Sequence, residues 1–284
     1  MISEEIGTMF ARAYQKRDPW AHKGDFGYVM IIAGSKKYSG SPIFNAMGAL
    51  RSGADCVLLR GHPRAMDIAA GYVPDIITEP FVGEFTEKDI KSVVHAMVGY
   101  QSLIIGCGME RNELAFHAMR RLIEKSTIPM VLDAEAIRAV AGHMEILKGK
   151  NIILTPNSEE FRVLTGETVG PNENERKEKV QRWAAIFGVT ILLKGNSDIV
   201  SDGVRVLVNK TGSPFMTKGG FGDVLTGITG AIFARTRDSF ESACLAAHIN
   251  GKAGEMTSQK HGEGVLASDS FVVIPSVIQS MESE

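Results

Sequence analysis

An α/β fold in three layers, with a mostly parallel central sheet covered by helices on both faces, is what this sequence predicts. Three observations carry that expectation. Short β-branched apolar runs recur along the chain, apolar residues at helical spacing separate most of them, and polar or glycine-rich segments follow the runs. Strands parted by helical crossovers pair in parallel, and an open parallel sheet binds ligands beyond the carboxyl ends of its strands.

Residues 28–33 (YVMIIA) form a nearly continuous apolar run, as a strand covered on both faces requires. Residues 41–51 place Ile43, Phe44, Met47 and Leu50 at helical spacing and stop at Ser52-Gly53, a helix-ending pair. Strand 55–59 (DCVLL) follows, then strand 76–77, helix 88–97, strand 103–105, helix 112–124 and strand 130–132. Beyond it come strand 152–154, a helix after Ser158, helix 174–187 and strand 191–193. Segments 199–200 and 204–208, parted by Ser201-Asp202-Gly203, predict a hairpin with an Asp-Gly turn. Three helices close the chain, at 222–234, 239–258 and 268–280.

No repeat, low-complexity tract or Pro/Gly/Ser-rich linker divides the 284 residues, so 1–284 is expected to be a single domain. A net charge of −2 gives no electrostatic footprint for nucleic acid or an anionic membrane. The three cysteines, Cys56, Cys107 and Cys244, lack C-x-x-C spacing, and no histidine spacing marks a metal site. With no apolar run of membrane-spanning length and no signal-like start, a reducing cytoplasm is the expected location. No G-x-S-x-G elbow supports acyl transfer.

The most informative segment is Thr217-Lys218-Gly219-Gly220-Phe221-Gly222-Asp223, leading into an apolar helix. Glycines let the backbone approach a ligand, and the amides opening a helix can point at an anion. A carboxylate beside a phosphate repels it unless it has a task such as accepting a proton, which makes Asp223 a candidate base. Other strand ends add Gly34 to Ser41, Gly106-Cys107-Gly108 and Lys194-Gly195-Asn196-Ser197-Asp198. Asp133, at the entrance to a helix, is expected to be an N-cap. Asn157 and Glu160, in N-x-x-E order, read either as a capping box or as a site where Glu160 orients hydrated Mg²⁺.

Together these segments resemble the ribokinase-like superfamily, marked by N-x-x-E after a central strand and G-x-G-D at an anion-hole helix. Within it the chain is most similar to the NAD(P)H-hydrate dehydratases from about Lys23 to Ile278. The likeness rests on Lys23-Gly24-Asp25-Phe26-Gly27, Tyr38-Ser39-Gly40-Ser41-Pro42, Arg51-Ser52-Gly53, Thr155-Pro156-Asn157, Lys194-Gly195, Asn209 with Gly212, and Gly219 to Gly227. The resemblance implies dehydration of the S hydrate of NADH or NADPH while a nucleotide phosphate is consumed. It implies that Asp223 is the base. Ser41, Gly108, Asn157, Glu160 and Asp223 would bind the hydrate, and Lys194, Gly195, Asn196, Ser197, Asp198, Gly219, Gly220 and Gly222 the nucleotide.

Ser41 stands where alanine is frequent. Asn157 stands where many bacterial members carry His and the ATP-using eukaryotic branch carries Asn. ADP is the expected donor and ATP the alternative, with Mg²⁺; no resident metal site is expected, and a homo-oligomer is implied. Many relatives carry an N-terminal epimerase domain. Because about twenty residues precede the match, the expectation is that this chain does not epimerise the R hydrate. Two other readings use the same residues: a small-molecule kinase acting on a hydroxymethylpyrimidine, thiazole or sugar alcohol, and a nucleotide sensor without turnover. Fold alone does not separate them.

Overall fold

The computed structural model describes residues 3–282. Its elements run α1 (Glu4–Ala13), β1 (Tyr28–Ile32), α2 (Gly40–Arg51), β2 (Cys56–Gly61), α3 (Pro63–Ala70), β3 (Ile76–Pro80) and α4 (Ile90–Ala96). Then follow β4 (Ser102–Ile105), α5 (Glu113–Lys125), β5 (Met130–Leu132), α6 (Glu135–Val140), β6 (Ile152–Leu154), α7 (Ser158–Thr165) and α8 (Glu173–Phe187). The last elements are β7 (Thr190–Leu193), β8 (Asp198–Ser201), β9 (Val206–Asn209), α9 (Phe221–Thr236), α10 (Ser239–His261) and α11 (Ser270–Glu282).

The strands form one sheet in the order β3-β2-β1-β4-β5-β6-β7-β8-β9. Pairings from β3 to β7 are parallel, and β8 and β9 add an antiparallel edge. Because successive side chains of a strand face opposite ways, β1 sends Val29 and Ile31 into one core and Met30 and Ile32 into the other. The first core is closed by α1, α2, α3, α9, α10 and α11, the second by α4 to α8. The predicted three-layer α/β architecture is therefore the observed one.

Two helices escaped the sequence reading. In α1, Ile6, Met9, Phe10 and Ala13 form the buried stripe and Ser3 caps the start, accepting from Ile6 N. In α3, Pro63 occupies the first turn, where a missing N–H costs nothing, and His62 Nδ1 accepts from Arg64 N at 3.1 Å. The hairpin turn is longer than the Asp-Gly pair suggests. Asp202 Oδ1 accepts from Val204 N and Arg205 N at 3.0 and 2.7 Å, which holds this stretch out of the ladder. Among the described residues, no helix is long and apolar enough to cross a membrane.

The strand order reverses between β1 and β4, the position at which open parallel sheets bind ligands. Gly34 N donates to Cys107 O at 2.9 Å across that junction. The segments after β1, β4, β5, β6 and β7 all open on the same side of the parallel sheet, and this is where the polar residues gather.

Candidate active site

After β7 the backbone turns through residues 194–197 into β8. Lys194 N donates to Pro156 O at 2.8 Å, tying this turn to the segment after β6. Asp198 folds back over it: Oδ1 accepts from Gly195 N at 3.0 Å and Oδ2 from Asn209 Nδ2 at 3.1 Å. Burial pushes the Asp198 carboxyl up, against those hydrogen bonds and the nearby cations. Arg176 of α8 braces the turn from below by donating to Lys194 O at 3.3 Å.

The turn forms one wall of a cleft of about 1090 Å³ lined by Asn157, Lys194, Gly195, Asn196, Ser197, Asp198 and Gly222. Lys210 to Ser213, Lys218 and Asn250 line it from other elements. A space of this size accommodates a nucleotide. Asn157 and Glu160 make the reciprocal capping box: Asn157 Oδ1 accepts from Glu160 N and Glu160 Oε2 accepts from Asn157 N, both at 2.9 Å. The bond leaves Asn157 exposed at the cleft and turns Glu160 inward, where it is 7% exposed.

Helix α9 starts beside the cleft. Gly220 is its N-cap and no side chain caps its first amides, so they can meet an anion with the helix dipole behind them. Asp223 sits in that first turn, partly buried. Burial, and then the charge of Asp133, push its carboxyl up to about 6, while hydrogen bonds with Ser41 and Cys107 and the Lys194 charge act the other way. A carboxyl poised there can accept a proton near neutral pH.

On the far side of Asp223 lies the wall formed by the loop after β1, the start of α2 and the loop after β4. Gly108 has φ +65, and a Cβ there would stand 2.8 Å from Ser41 Cβ and 3.1 Å from Tyr38 Cβ. Only glycine lets this backbone close on Ser41. Asn45 of α2 donates through Nδ2 to Asp223 O at 2.8 Å and to Cys107 Sγ at 3.4 Å, which fixes the first turn of α9 against this wall.

Between the two walls stands Asp133, 2% exposed, just past β5. The expectation that it is an N-cap is corrected: the N-cap of α6 is Ala134, with φ 49 and no side-chain cap. Asp133 instead accepts from Lys194 Nζ at 2.9 Å through Oδ1 and from Thr226 Oγ1 at 2.7 Å through Oδ2. Cys107 Sγ lies 3.7 Å from Oδ2. Lys194 Nζ is also 4.0 Å from Glu160 Oε2. Burial works against the lysine's charge, but Asp133 and Glu160 outweigh it and raise its pKa. Glu160 is itself raised, by burial first and then by Asp133.

The structure thus brings Ser41, Gly108 and Asp223 together at one end, and Asn157, Lys194 to Asp198 and Gly222 along the cleft, with Glu160 behind Asn157. Gly219 and Gly220 lie on the loop entering α9, between Lys218 and Phe221 of the cleft lining. Sequence reasoning did not identify Asp133, Cys107, Thr226 and Asn45 as site residues. Their strand-end and helix positions were visible, but their convergence is tertiary. Cys107, Asp133 and Asp223 hold their potential ligand atoms within 4.8 Å of one another. The Lys194 ammonium already answers the negative charge of Asp133, and burial pushes the Cys107 thiol well up, so that it stays protonated.

Over residues 29–276 the chain matches the family model described as NAD(P)H-hydrate dehydratase. An ADP-dependent (S)-NAD(P)H-hydrate dehydratase of Cenarchaeum symbiosum is 36% identical over 286 residues, spanning 99% of this chain and 98% of that one. A bifunctional NAD(P)H-hydrate repair enzyme Nnr of Pyrobaculum aerophilum is 38% identical across 90% of this chain. The chain spans about half the length of that bifunctional relative, 51%. Among solved structures, the ADP/ATP-dependent NAD(P)H-hydrate dehydratase of Bacillus subtilis, co-crystallised with ATP/Mg²⁺, superposes with a TM-score of 0.84 at 25% identity. That superposition covers 97% of each chain.

Proposed function

This chain belongs to the NAD(P)H-hydrate dehydratase family, and from that membership we propose that it returns the S hydrate of NADH or NADPH to the reduced cofactor, consuming an adenine nucleotide and releasing phosphate. The observation that carries the reading is Asp223: a carboxyl raised to about 6, facing Ser41 and set at the uncapped start of α9 beside the nucleotide-sized cleft.

In this reading Asp223 takes the proton of the hydrate's C6 hydroxyl as its oxygen attacks the terminal phosphoryl group, whose bond to the nucleotide breaks. Phosphorylation is needed because hydroxide is a poor leaving group. The ring nitrogen's lone pair then expels phosphate from C6, and loss of a proton from C5 restores the ring double bond. Ser41 orients the base and Gly108 lets the ring close on it. Lys194 and the free amides of α9 offset the charge on the transferring group.

Both Asp133 oxygens are committed to Lys194 and Thr226 and Glu160 Oε2 to Asn157 N, so it is Glu160 Oε1 that would orient a hydrated magnesium ion, through a water and from behind Asn157. Magnesium, when bound, supplies charge neutralisation for the nucleotide phosphates. The name of the Cenarchaeum relative, similar along the whole chain, favours ADP as donor. We assign both subsites to one domain, in a homo-oligomer of the cytoplasm; the free, buried Cys56, Cys107 and Cys244 suit a reducing compartment.

The test is to supply S-NADH hydrate, Mg²⁺ and either ADP or ATP, and to follow the return of reduced-nicotinamide absorbance with release of inorganic phosphate. Recovery with ADP supports the reading. No recovery with either nucleotide, together with stable phosphorylation of a small alcohol, would replace it with a kinase.

A further inference from the structure

We propose that Asp133 is the positioning residue that joins the two halves of the site: one oxygen holds the Lys194 ammonium on the nucleotide side, and the other is fastened through Thr226 to the helix that carries Asp223. The inference rests on the assignment of Asp223 as base and adds a residue that acts on it without touching the substrate.

The geometry allows little else. Asp133 is 2% exposed and its carboxylate is fully occupied, by Lys194 Nζ at 2.9 Å and Thr226 Oγ1 at 2.7 Å. Thr226 is one helical turn beyond Gly222 on α9, so its hydroxyl, donating to Asp133, fastens Asp133 to the helix that carries Asp223. Lys194 opens the turn that lines the nucleotide cleft. A buried carboxylate cannot satisfy these partners and remain independent of either, and breaking a buried pair leaves a charge without compensation.

The electrostatics follow from who faces Asp223. From the end of β5 Asp133 presents a negative charge, from the end of β4 Cys107 presents a thiol kept protonated by burial, and from the end of β7 Lys194 presents a positive charge. Ser41 adds a hydrogen bond from the start of α2. Two carboxylates sharing a site cannot both ionise freely, and the one less well compensated keeps its proton to higher pH. Burial raises the Asp223 carboxyl first, and the charge of Asp133, held beside it by Lys194 and Thr226, adds to that rise.

The test reads Asp223 directly in the full chain, by ¹³C NMR of aspartate carboxyl carbons, with the signal assigned through its loss in Asp223→Asn. Wild type is expected to titrate near pH 6. Asp133→Asn should lower that midpoint by about one pH unit, and Lys194→Gln, which leaves Asp133 uncompensated, should raise it by about the same. Asp133→Glu restores the charge and should restore the midpoint. If Asp133→Asn does not fold, Asp133→Ser, which also removes the charge, is read in its place, because Lys194→Gln shifts Asp223 directly as well.

Midpoints that stay at the wild-type value in the folded variants overturn the proposal, whatever the stability of those variants. The NMR reading needs no turnover, so an absence of dehydratase activity would sink the proposed function and leave this result standing. Where the enzyme turns over, the acid limb of kcat should move with the NMR midpoint, and a limb that stays put overturns the coupling to catalysis. Asp133→Asn should also raise the KM for the nucleotide roughly tenfold, because Lys194 loses its anchor.

Discussion

Gly227 of α9 lies directly on the backbone of Asn45 in α2: a Cβ at 227 would stand 2.1 Å from the Asn45 carbonyl oxygen. Gly48 makes the reverse approach, where a Cβ would stand 2.5 Å from Val224 O. These two glycines set how deeply the helix carrying Asp223 seats, and the seating brings Asn45 Nδ2 within 2.8 Å of Asp223 O.

Gly227→Ala should therefore force the helices apart. Overpacking of this kind costs about 1–3 kcal/mol, and here it also moves Asp223. Chemical denaturation should show the loss, and kcat should fall with it. A variant with wild-type stability and kcat would mean that the α2–α9 spacing is not what places the base.

Asp223 itself should weaken the fold it serves. Its carboxyl is raised from the usual 3.8 to about 6, by burial first and Asp133 second. The folded state then holds the proton more tightly than the unfolded chain, so stability falls as pH rises through that window. Asp223→Asn removes the penalty. It should abolish turnover, retain nucleotide binding and gain about 1–2 kcal/mol at pH 7.5, less than the full linkage value because the group is partly exposed. The gain should shrink as pH falls below 6 and be gone below 3.8. Urea denaturation at pH 7.5 and pH 3.5 measures both ends, and a variant no more stable at pH 7.5 contradicts the strained-base account.

The wall of Ser41 and Gly108, proposed to bind the hydrate, gives a third expectation. Gly108 has φ +65 and meets Ser41 and Tyr38 at contact distances that leave no room for a methyl group. Gly108→Ala combines backbone strain with that clash. The KM for the hydrate should rise about tenfold or more while nucleotide affinity by calorimetry stays near wild type. Equal loss on both sides would show that the two subsites are not separate.

Much of this layout was legible because it is local. Alternating β-branched runs and helical spacing give the strands and most helices, and the N-x-x-E box at Asn157 and Glu160 is contained within one turn. The glycines before Asp223 and the strand-end Lys194 point to the cleft for the same reason. Asp133 was not legible. Its neighbours Lys194 and Thr226 lie 61 and 93 residues away, and nothing near it in sequence distinguishes it from a helix cap. The same holds for Cys107 and Asn45, which meet Asp223 only once β4 and α2 pack beside α9. Local patterns report what a residue can do, and long-range packing decides which of those roles it takes.

Asp198 shows how such packing yields a prediction on the nucleotide side. It was expected to bind nucleotide, and it does line the cleft, yet both of its oxygens are used: one accepts from Gly195 N at 3.0 Å, the other from Asn209 Nδ2 at 3.1 Å. Its role is to hold the turn from Lys194 to Ser197 in shape. Asp198→Ala leaves Gly195 N without its side-chain acceptor while Asn209 Nδ2 keeps Ala247 O at 3.2 Å, a loss of about 0.5–1.5 kcal/mol. Loosening of the turn should raise the nucleotide Kd roughly tenfold. Asp198→Asn keeps the size and one acceptor, so it should fall between wild type and alanine. The hydrate KM, set at the opposite wall by Ser41 and Gly108, should be unchanged in both. Calorimetric titration with ADP checks the order, and an alanine variant that binds ADP as wild type does would show that the turn keeps its shape without Asp198.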